Sequence, residues 1–486
     1  MLRVIVTVLT LAGKEGLPVK APDAVGMSSS RLEAIDRVVQ RGISAGGYPG
    51  ASVVVGRKGA TVWEKGFGKL SWSPVSSNVD AEKTIYDIAS LSKVVGTTTA
   101  IMILYDEKKV DLDAPVFRYL PAFSGGLKDQ VTVRELLTHR SGLPAGRDLW
   151  RVAYSPQHAR DMVLATELKH PPGTAYVYSD LGADVLGMIV EKVSGERLDH
   201  FLERRVFGPL GMRDTFYRPA DSVRYRIAPT EVTPPRGYPL KGEVHDENAY
   251  ALGGIAGHAG LFSTAADLSI FAQMMLSGGT YDGVHIMSEP TVALFTRRTA
   301  GHRALGWDTA DGDYGSGQYL TERAYGHTGF TGTSVWIDPD REMFVILLTN
   351  RVHAAKARRP GKIIMDVRAD LSDAAVLAVV DGTTPVLAMP SAFRSDREIG
   401  WNPVVRPVRC SALKSRRGKS TRASRSRARV SCALASRRAA SSKSAKSRSA
   451  KARAAALRKK KAASSAKRSL SKSAVAKKTS AKSTKK

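Results

Sequence analysis

Ser90-Leu91-Ser92-Lys93 sets a hydroxyl and an amine three residues apart. A serine hydroxyl barely ionises at neutral pH, so it becomes a nucleophile only beside a group that takes its proton. At i and i+3 of a helix the two side chains share one face. The sequence predicts such a helix: Val94, Val95, Ile101, Leu104 and Tyr105 supply apolar positions, and no proline falls between Lys93 and Val110. Ser90 would then start the helix, where free amides and the positive end of the dipole favour negative charge. A single S-x-x-K also marks an ordinary helix start, so the chemistry rests on what accompanies it.

Two more segments carry matching chemistry. Tyr178-Ser179-Asp180 follows the turn Pro171-Pro172-Gly173-Thr174. His327-Thr328-Gly329-Phe330 runs through Thr331-Gly332-Thr333-Ser334 into a predicted strand, Val335-Trp336-Ile337. Two further runs are Glu135-Leu136-Leu137-Thr138-His139-Arg140-Ser141-Gly142-Leu143 and Gly257-His258-Ala259-Gly260-Leu261-Phe262-Ser263-Thr264. An ionised Asp180 only accepts hydrogen bonds. It could hold Lys93 as an ion pair or select a substrate bearing an amine or amide N–H. His258, in a glycine-rich turn, could line a pocket or simply pack. His245-Asp246 looks like a metal pair, but the chain has no H-E-x-x-H and no cysteine cluster, so no metal site is expected.

In this order, the three motifs resemble the serine β-lactamase and penicillin-binding-protein superfamily, in its class C-like branch of esterases, D-amino-acid peptidases and muropeptide amidases. The likeness covers roughly residues 20 to 380. It implies Ser90 as nucleophile, Lys93 and Tyr178 as shared general base and acid, and an oxyanion hole of the Ser90 and Phe330 amides. Backbone donors aimed at a developing oxyanion contribute strongly to such catalysis. It implies substrate contacts from Asp180, His327, Thr328, Gly329 and His258, and needs no cofactor. A phenol beside an ammonium ionises more readily, which suits Tyr178 to the base role. Gly329 is expected to let substrate approach the strand. His327 stands where the β-lactam-hydrolysing members carry lysine. A histidine is near half-charged only around pH 6–7, which weighs against β-lactams as main substrates.

The elements that must position these groups read as an α+β fold of the β-lactamase/transpeptidase type. An antiparallel sheet built from both chain ends is flanked by terminal helices, with a mostly helical lobe inserted. Ser30 to Glu33 reads as a capping box opening a helix to about Ile43. Strands are expected at 51–55 and 61–67, then at 334–337 and 343–348. A second capping box at Thr132–Glu135, helices at 183–193 and 265–275, and a helix opened by Pro360 complete the pattern. The stretch 218–240 reads as loop.

The net charge of +29 over 486 residues belongs to one end. Residues 411–486 hold 27 Lys or Arg and no acid, which leaves 47 basic against 45 acidic residues elsewhere. That segment of Ala, Ser, Lys and Arg, without aromatics, is expected to be disordered. Runs of this sign bind phosphate backbones, anionic lipid or cell-wall polymer without base recognition. The same composition also suits a solvated extension or a misread frame. Residues 382–410 read as a transition without clear elements. The apolar stretch from Val4 to Ala12 is too short to span a bilayer and, within 1–19, stands for a short signal or an unstructured start. No integral membrane segment is expected. Cys410 and Cys432 lie at or inside the tail, so the body has neither disulfide nor thiolate site.

The expected function is serine hydrolysis through an acyl-enzyme on a small-molecule or peptide ester or amide, with the cell envelope or secretion favoured over the cytoplasm. The alternative is a weak or inactive hydrolase fold that binds anionic polymer through its tail.

Overall fold

Six antiparallel strands form the main sheet, and the chain enters it from both ends. In the computed structural model, which describes residues 16–312, 315–382 and 385–402, helix α1 spans Ala34–Ser44. Strands β1 (Gly50–Arg57) and β2 (Ala60–Gly68) then make a hairpin. The return comes much later, with β3 (Asp308–Thr309), β4 (Tyr325–Gly329), β5 (Thr333–Asp338), β6 (Met343–Thr349) and a long helix at Pro360–Leu377. The order across the sheet is β2-β1-β6-β5-β4-β3, with the two chain ends meeting where Ala51–Arg57 pair with Met343–Thr349.

Side-chain alternation divides the sheet between two cores. Val53, Val55, Val345 and Leu347 pack with α1 and the C-terminal helix, together with Leu32, Ile35, Val39, Ile363 and Leu371. Val54, Phe344, Ile346 and Leu348 join the larger core of the inserted region, with Ile101, Leu104, Val185, Ile189 and Phe271. β1 and β6 are buried along their whole length, as a sheet covered on both faces requires. The inserted region holds helices at Asp180–Ser194 and Ala265–Leu276 and a small three-stranded sheet of Tyr86–Asp87, Leu261–Ser263 and Phe216–Tyr217. The fold is thus α+β, of the expected layout.

Four expectations change in detail. Ser28, not Ser30, caps the first helical turn: its hydroxyl accepts from the Arg31 amide, and Glu33 divides that turn from α1. Helix 180–194 starts three residues earlier than periodicity suggests, because Ser179 Oγ accepts from the Gly182 amide at 3.2 Å. Residues 17–19 belong to the body: Leu17 is buried, and Thr61 exchanges backbone hydrogen bonds with Pro18 and Lys20. So does the middle of the transition segment, at 394–401. Asp370 accepts from the Arg394 and Ser395 amides, Arg394–Arg397 is helical, and buried Trp401 donates to Asp366 at 2.7 Å. The capping box at Thr132 and Glu135 is present as expected. For residues 1–15 the expectation of a short signal or unstructured start within 1–19 lies outside the described residues, as do the disordered reading of 411–486 and both Cys410 and Cys432. Among those described, no helix is long and apolar enough to cross a membrane.

Candidate active site

Ser90, the expected nucleophile, sits on a strained corner. Strand Tyr86–Asp87 runs into Ile88 and Ala89, and Ala89 has φ 47°, a left-handed value a β-carbon disfavours. The surroundings hold it there. The Asp87 carboxylate accepts from the Ala89 amide at 2.8 Å and the His245 amide at 2.7 Å. Thr331 and Thr333 hydroxyls donate to the Asp87 and Ile88 carbonyls at 2.7 and 3.0 Å. These bonds tie the Ser90 corner to the turn after β4, bringing the Ser90 and Phe330 segments together. A Cβ on Gly329 would lie 2.1 Å from Thr333 Oγ1 and 2.5 Å from the Ile88 carbonyl oxygen. Glycine is therefore required by the packing of the Ser90 loop itself, rather than by an approaching substrate as the sequence suggests.

Lys93 begins a π-helical stretch, Lys93–Thr98, before the α-helix at Thr99–Asp106. Sequence periodicity predicts an unbroken α-helix here; π-turns recur at functional sites. Buried Lys93 donates from Nζ to Ser90 Oγ at 2.9 Å and to the His258 carbonyl at 3.0 Å. It also pairs with Asp180 Oδ1 at 2.8 Å and lies 5.0 Å from the centre of the Tyr178 ring. Burial alone would lower its pKa, but the charges of Tyr178 and Asp180 outweigh it and hold the ammonium above its ordinary range. With its proton committed, the lysine is a donor to Ser90.

Tyr178 is fixed by His139, a residue whose motif the sequence displays without revealing its task. The His139 carbonyl accepts from the Val177 amide at 2.9 Å, and Nδ1 accepts from the Ser179 amide at 3.1 Å. The two bonds bracket Tyr178, and the rings lie 4.5 Å apart. Burial first, then the Arg303 and Lys93 charges, keep His139 well below the usual histidine range, so Nδ1 stays free to accept.

The cleft has a volume of about 670 Å³, with Ser90, Tyr178, His327, Thr328, Gly329 and Phe330 in its walls. His327 is 2% exposed. Burial outweighs the pull of Asp308 and takes its pKa down to about 4. The ring is therefore neutral at physiological pH, not half-charged. Its Nδ1 donates to the Thr328 carbonyl at 2.8 Å, leaving Nε2 as a lone-pair acceptor with no hydrogen-bond partner among the described residues. Positive charge stands elsewhere in the wall, on Arg351 and Arg368. Arg351 Nε donates to the Phe330 carbonyl at 3.1 Å, and Arg368 Nη2 donates to the Gly329 and Thr333 carbonyls at 2.6 and 2.8 Å. Neither has a carboxylate partner within salt-bridge distance among the described residues. Arg351 and Arg368 carry no local sequence pattern that assigns them to this cleft.

His258 is not in the cleft wall. It lies buried between Asp184, at 2.7 Å from Nδ1, and Asp246, at 3.0 Å from Nε2. Burial opposes its charge, but the two carboxylates prevail and raise its pKa well above normal. It acts on the site through its backbone carbonyl on Lys93. Asp184 is one helical turn from Asp180, a spacing readable in the sequence, so one helix face holds both Lys93 and His258. His245 and Asp246 have non-metal duties: His245 stacks on Phe330 at 5.6 Å, and Asp246 caps helix Glu247–Ala251. Among the described residues, no three His, Cys, Asp or Glu groups are arranged to hold a metal.

A family model described as Beta-lactamase matches residues 35–368. The N-acetylmuramyl-L-alanine amidase of Bacillus subtilis (strain 168) is 35% identical over 363 residues, covering 67% of this chain and 82% of that protein. A penicillin-binding protein homologue from Caulobacter crescentus superposes with a TM-score of 0.57 at 22% identity, over 73% of this chain and 99% of that one. A family VIII carboxylesterase gives 0.56 at 19% identity, over 71% and 99%. These two structures share the fold. The family match takes in the Ser90 corner, Tyr178 and the His327 strand together, and the chain therefore belongs to the beta-lactamase family of serine hydrolases.

Proposed function

We propose that the protein cleaves the amide of a cell-wall peptide, of the muramyl–amino-acid kind, through an acyl-enzyme on Ser90. The observation that carries the mechanism is Lys93 Nζ, which meets Ser90 Oγ and Asp180 at 2.9 and 2.8 Å. A lysine held charged in this way cannot accept the serine proton, so Tyr178 takes the base role. Ser90 Oγ attacks the carbonyl carbon as its proton passes to the Tyr178 phenolate oxygen. Charge gathers on the carbonyl oxygen, which faces the Ser90 and Phe330 amides. The phenol then protonates the departing amine, and the C–N bond breaks. In the second half Tyr178 takes a proton from water, the hydroxide attacks the acyl carbon, and Ser90 Oγ leaves with the proton returned.

The cleft chemistry supports the substrate class. Arg351 and Arg368, both in the cleft wall, suit the carboxylate of a stem peptide. β-Lactam members place a lysine where His327 stands, so β-lactam turnover should trail the best ester or amide. A panel of p-nitrophenyl acetate, nitrocefin, a D-Ala-D-Ala peptide and a muropeptide tests this. Muropeptide cleavage at the highest kcat/KM is expected; nitrocefin rivalling the best ester or amide would overturn it. Tyr178→Phe should lose about 10²–10⁴-fold in turnover, the scale of a general base. Near-normal turnover would move the base role to Lys93.

The substrate class favours action at the cell envelope, which fractionation of the producing cell tests. We also propose that residues 411–486, with 27 positive charges, hold the enzyme to an anionic polymer. Binding should be strong at low salt and fall steeply as salt rises. Salt-titrated pull-downs of full-length and 411–486-deleted protein on DNA and on cell-wall polymer test it; equal binding by both proteins would overturn it.

A further inference from the structure

A second cavity, of about 760 Å³, shares no lining residue with the catalytic cleft. It lies among residues 153–156, 218–219 and 242–254, with Phe262 in its wall. Two tyrosines line it in the open: Tyr154 is 84% exposed and Tyr250 is 40% exposed. Each ring is backed on one face. His158 stacks on Tyr154 with centroids 4.1 Å apart, and the Arg236 guanidinium lies 4.5 Å from the Tyr250 centroid. Backing fixes the ring planes and lowers the entropy cost of using them.

Polar groups surround the rings. Arg218 is exposed, sits at φ 48°, and has no carboxylate partner among the described residues. Strain of this kind gathers at ligand sites. Glu243 brings a carboxylate, which Tyr238 steadies through a 2.7 Å hydrogen bond. Gly253 and Gly254, both at positive φ, bring bare backbone into the wall. Flat apolar faces with donors and acceptors around them match a pyranose, which has an apolar C–H face and a rim of hydroxyls. An extended peptide would seek a free strand edge instead, and the strand of Phe262 is paired on both sides.

The chain also links this cavity to the reaction. Val244 lines it, and the next residue, His245, stacks on Phe330 in the catalytic cleft. We propose that the second cavity is a saccharide subsite, in which an N-acetylated amino sugar stacks on Tyr154 and Tyr250 while the amide of the same substrate is cut at Ser90. The subsite rests on the reading of the substrate as a glycan-linked peptide amide.

Calorimetric titration of full-length Ser90→Ala protein with N-acetylated chitotetraose tests it. Saturable one-site binding is expected, weakened tenfold or more by Tyr154→Ala and by Tyr250→Ala and largely kept in the Tyr→Phe variants, which preserve the flat ring. With Ser90 intact, the alanine variants should raise KM for a disaccharide-bearing muropeptide by a similar factor. Turnover of p-nitrophenyl acetate, which has no sugar, should not change. Absence of saturable binding, binding undiminished in both alanine variants, or tyrosine-dependent capture of the sugar-free stem peptide instead would overturn the subsite. Chitotetraose binding that depends on the tyrosines, in a native enzyme that leaves muropeptide uncut, would uphold the subsite and refute the amidase reading. Muropeptide turnover without sugar binding would do the reverse.

Discussion

His258 and His327 are each 2% exposed and each lies near a carboxylate, yet one ring is charged and the other neutral. His258 has Asp184 and Asp246 at 2.7 and 3.0 Å, one on each ring nitrogen. His327 has Asp308 at 3.8 Å, and that carboxylate is already paired with Arg303. Burial opposes the charged form in both; only close, hydrogen-bonded carboxylates overcome it. The contrast separates two jobs. The charged ring locks together the loop at 246, the helix at 180–194 and the lysine that meets Ser90. The neutral ring stands in the cleft wall, with Nε2 buried on the side of Asp308.

The largest effect should come from discharging the lock. His258→Leu leaves Asp184 and Asp246 without their cation, and breaking a buried pair from one side costs about 3–5 kcal/mol. Denaturant unfolding should show that loss, with ester turnover falling as Lys93 loses its framing. Unchanged stability would mean that the two carboxylates do not depend on the ring.

A smaller and more specific effect concerns pH. The folded pKa of His327, about 4, lies below the unfolded value near 6.5. As pH falls from about 6.5 towards 4, the unfolded chain takes up a proton that the folded one refuses. Stability then drops by up to about 1.4 kcal/mol per pH unit from this group. For His258 the sign reverses. Its raised pKa gives a contribution complete below about 6.5 and lost as pH rises through the folded value. Unfolding curves at pH 5 and pH 8 for native and His327→Gln protein distinguish the two. The variant should lose less on acidification and behave like the native chain on the alkaline side; equal acid losses would contradict a neutral His327.

His327→Lys sharpens the comparison further. A cation placed at the neutral position should raise nitrocefin turnover relative to p-nitrophenyl acetate, by several-fold. An unchanged ratio would show that Arg351 and Arg368 already serve any substrate carboxylate. The smallest effect is expected from the basic C-terminal segment. Deleting 411–486 should leave small-ester turnover nearly as it is, because Ser90, Lys93 and Tyr178 all lie within the body; a large fall would mean that the segment supports the body.

The sequence makes the sheet, its flanking helices and the Ser90, Lys93 and Tyr178 positions legible. Hydrophobic periods and turn residues are local signals, and the catalytic motifs are short runs. What escapes it is set by long-range contact. Nothing local reveals that His139 brackets Tyr178 from 39 residues away, or that Arg351 and Arg368 enter the cleft wall. Nor does a glycine-rich turn show that His258 points away from substrate into two carboxylates. The π-turn at Lys93 is invisible because apolar periodicity marks a buried helix face and not its hydrogen-bond register. Trp401 looks like part of a featureless stretch until Asp366 is found opposite its indole. The spacing of Asp180 and Asp184 was the one available clue to the lock.

The central claim is that Ser90, primed by a charged Lys93, carries the acyl group. Native and Ser90→Ala protein can be treated with a slowly deacylating penicillin or a fluorophosphonate, digested, and mapped by mass spectrometry. A single adduct on the peptide containing Ser90, absent in the variant together with ester turnover, is the result expected. An adduct on another serine, or full ester turnover by Ser90→Ala, would contradict the account.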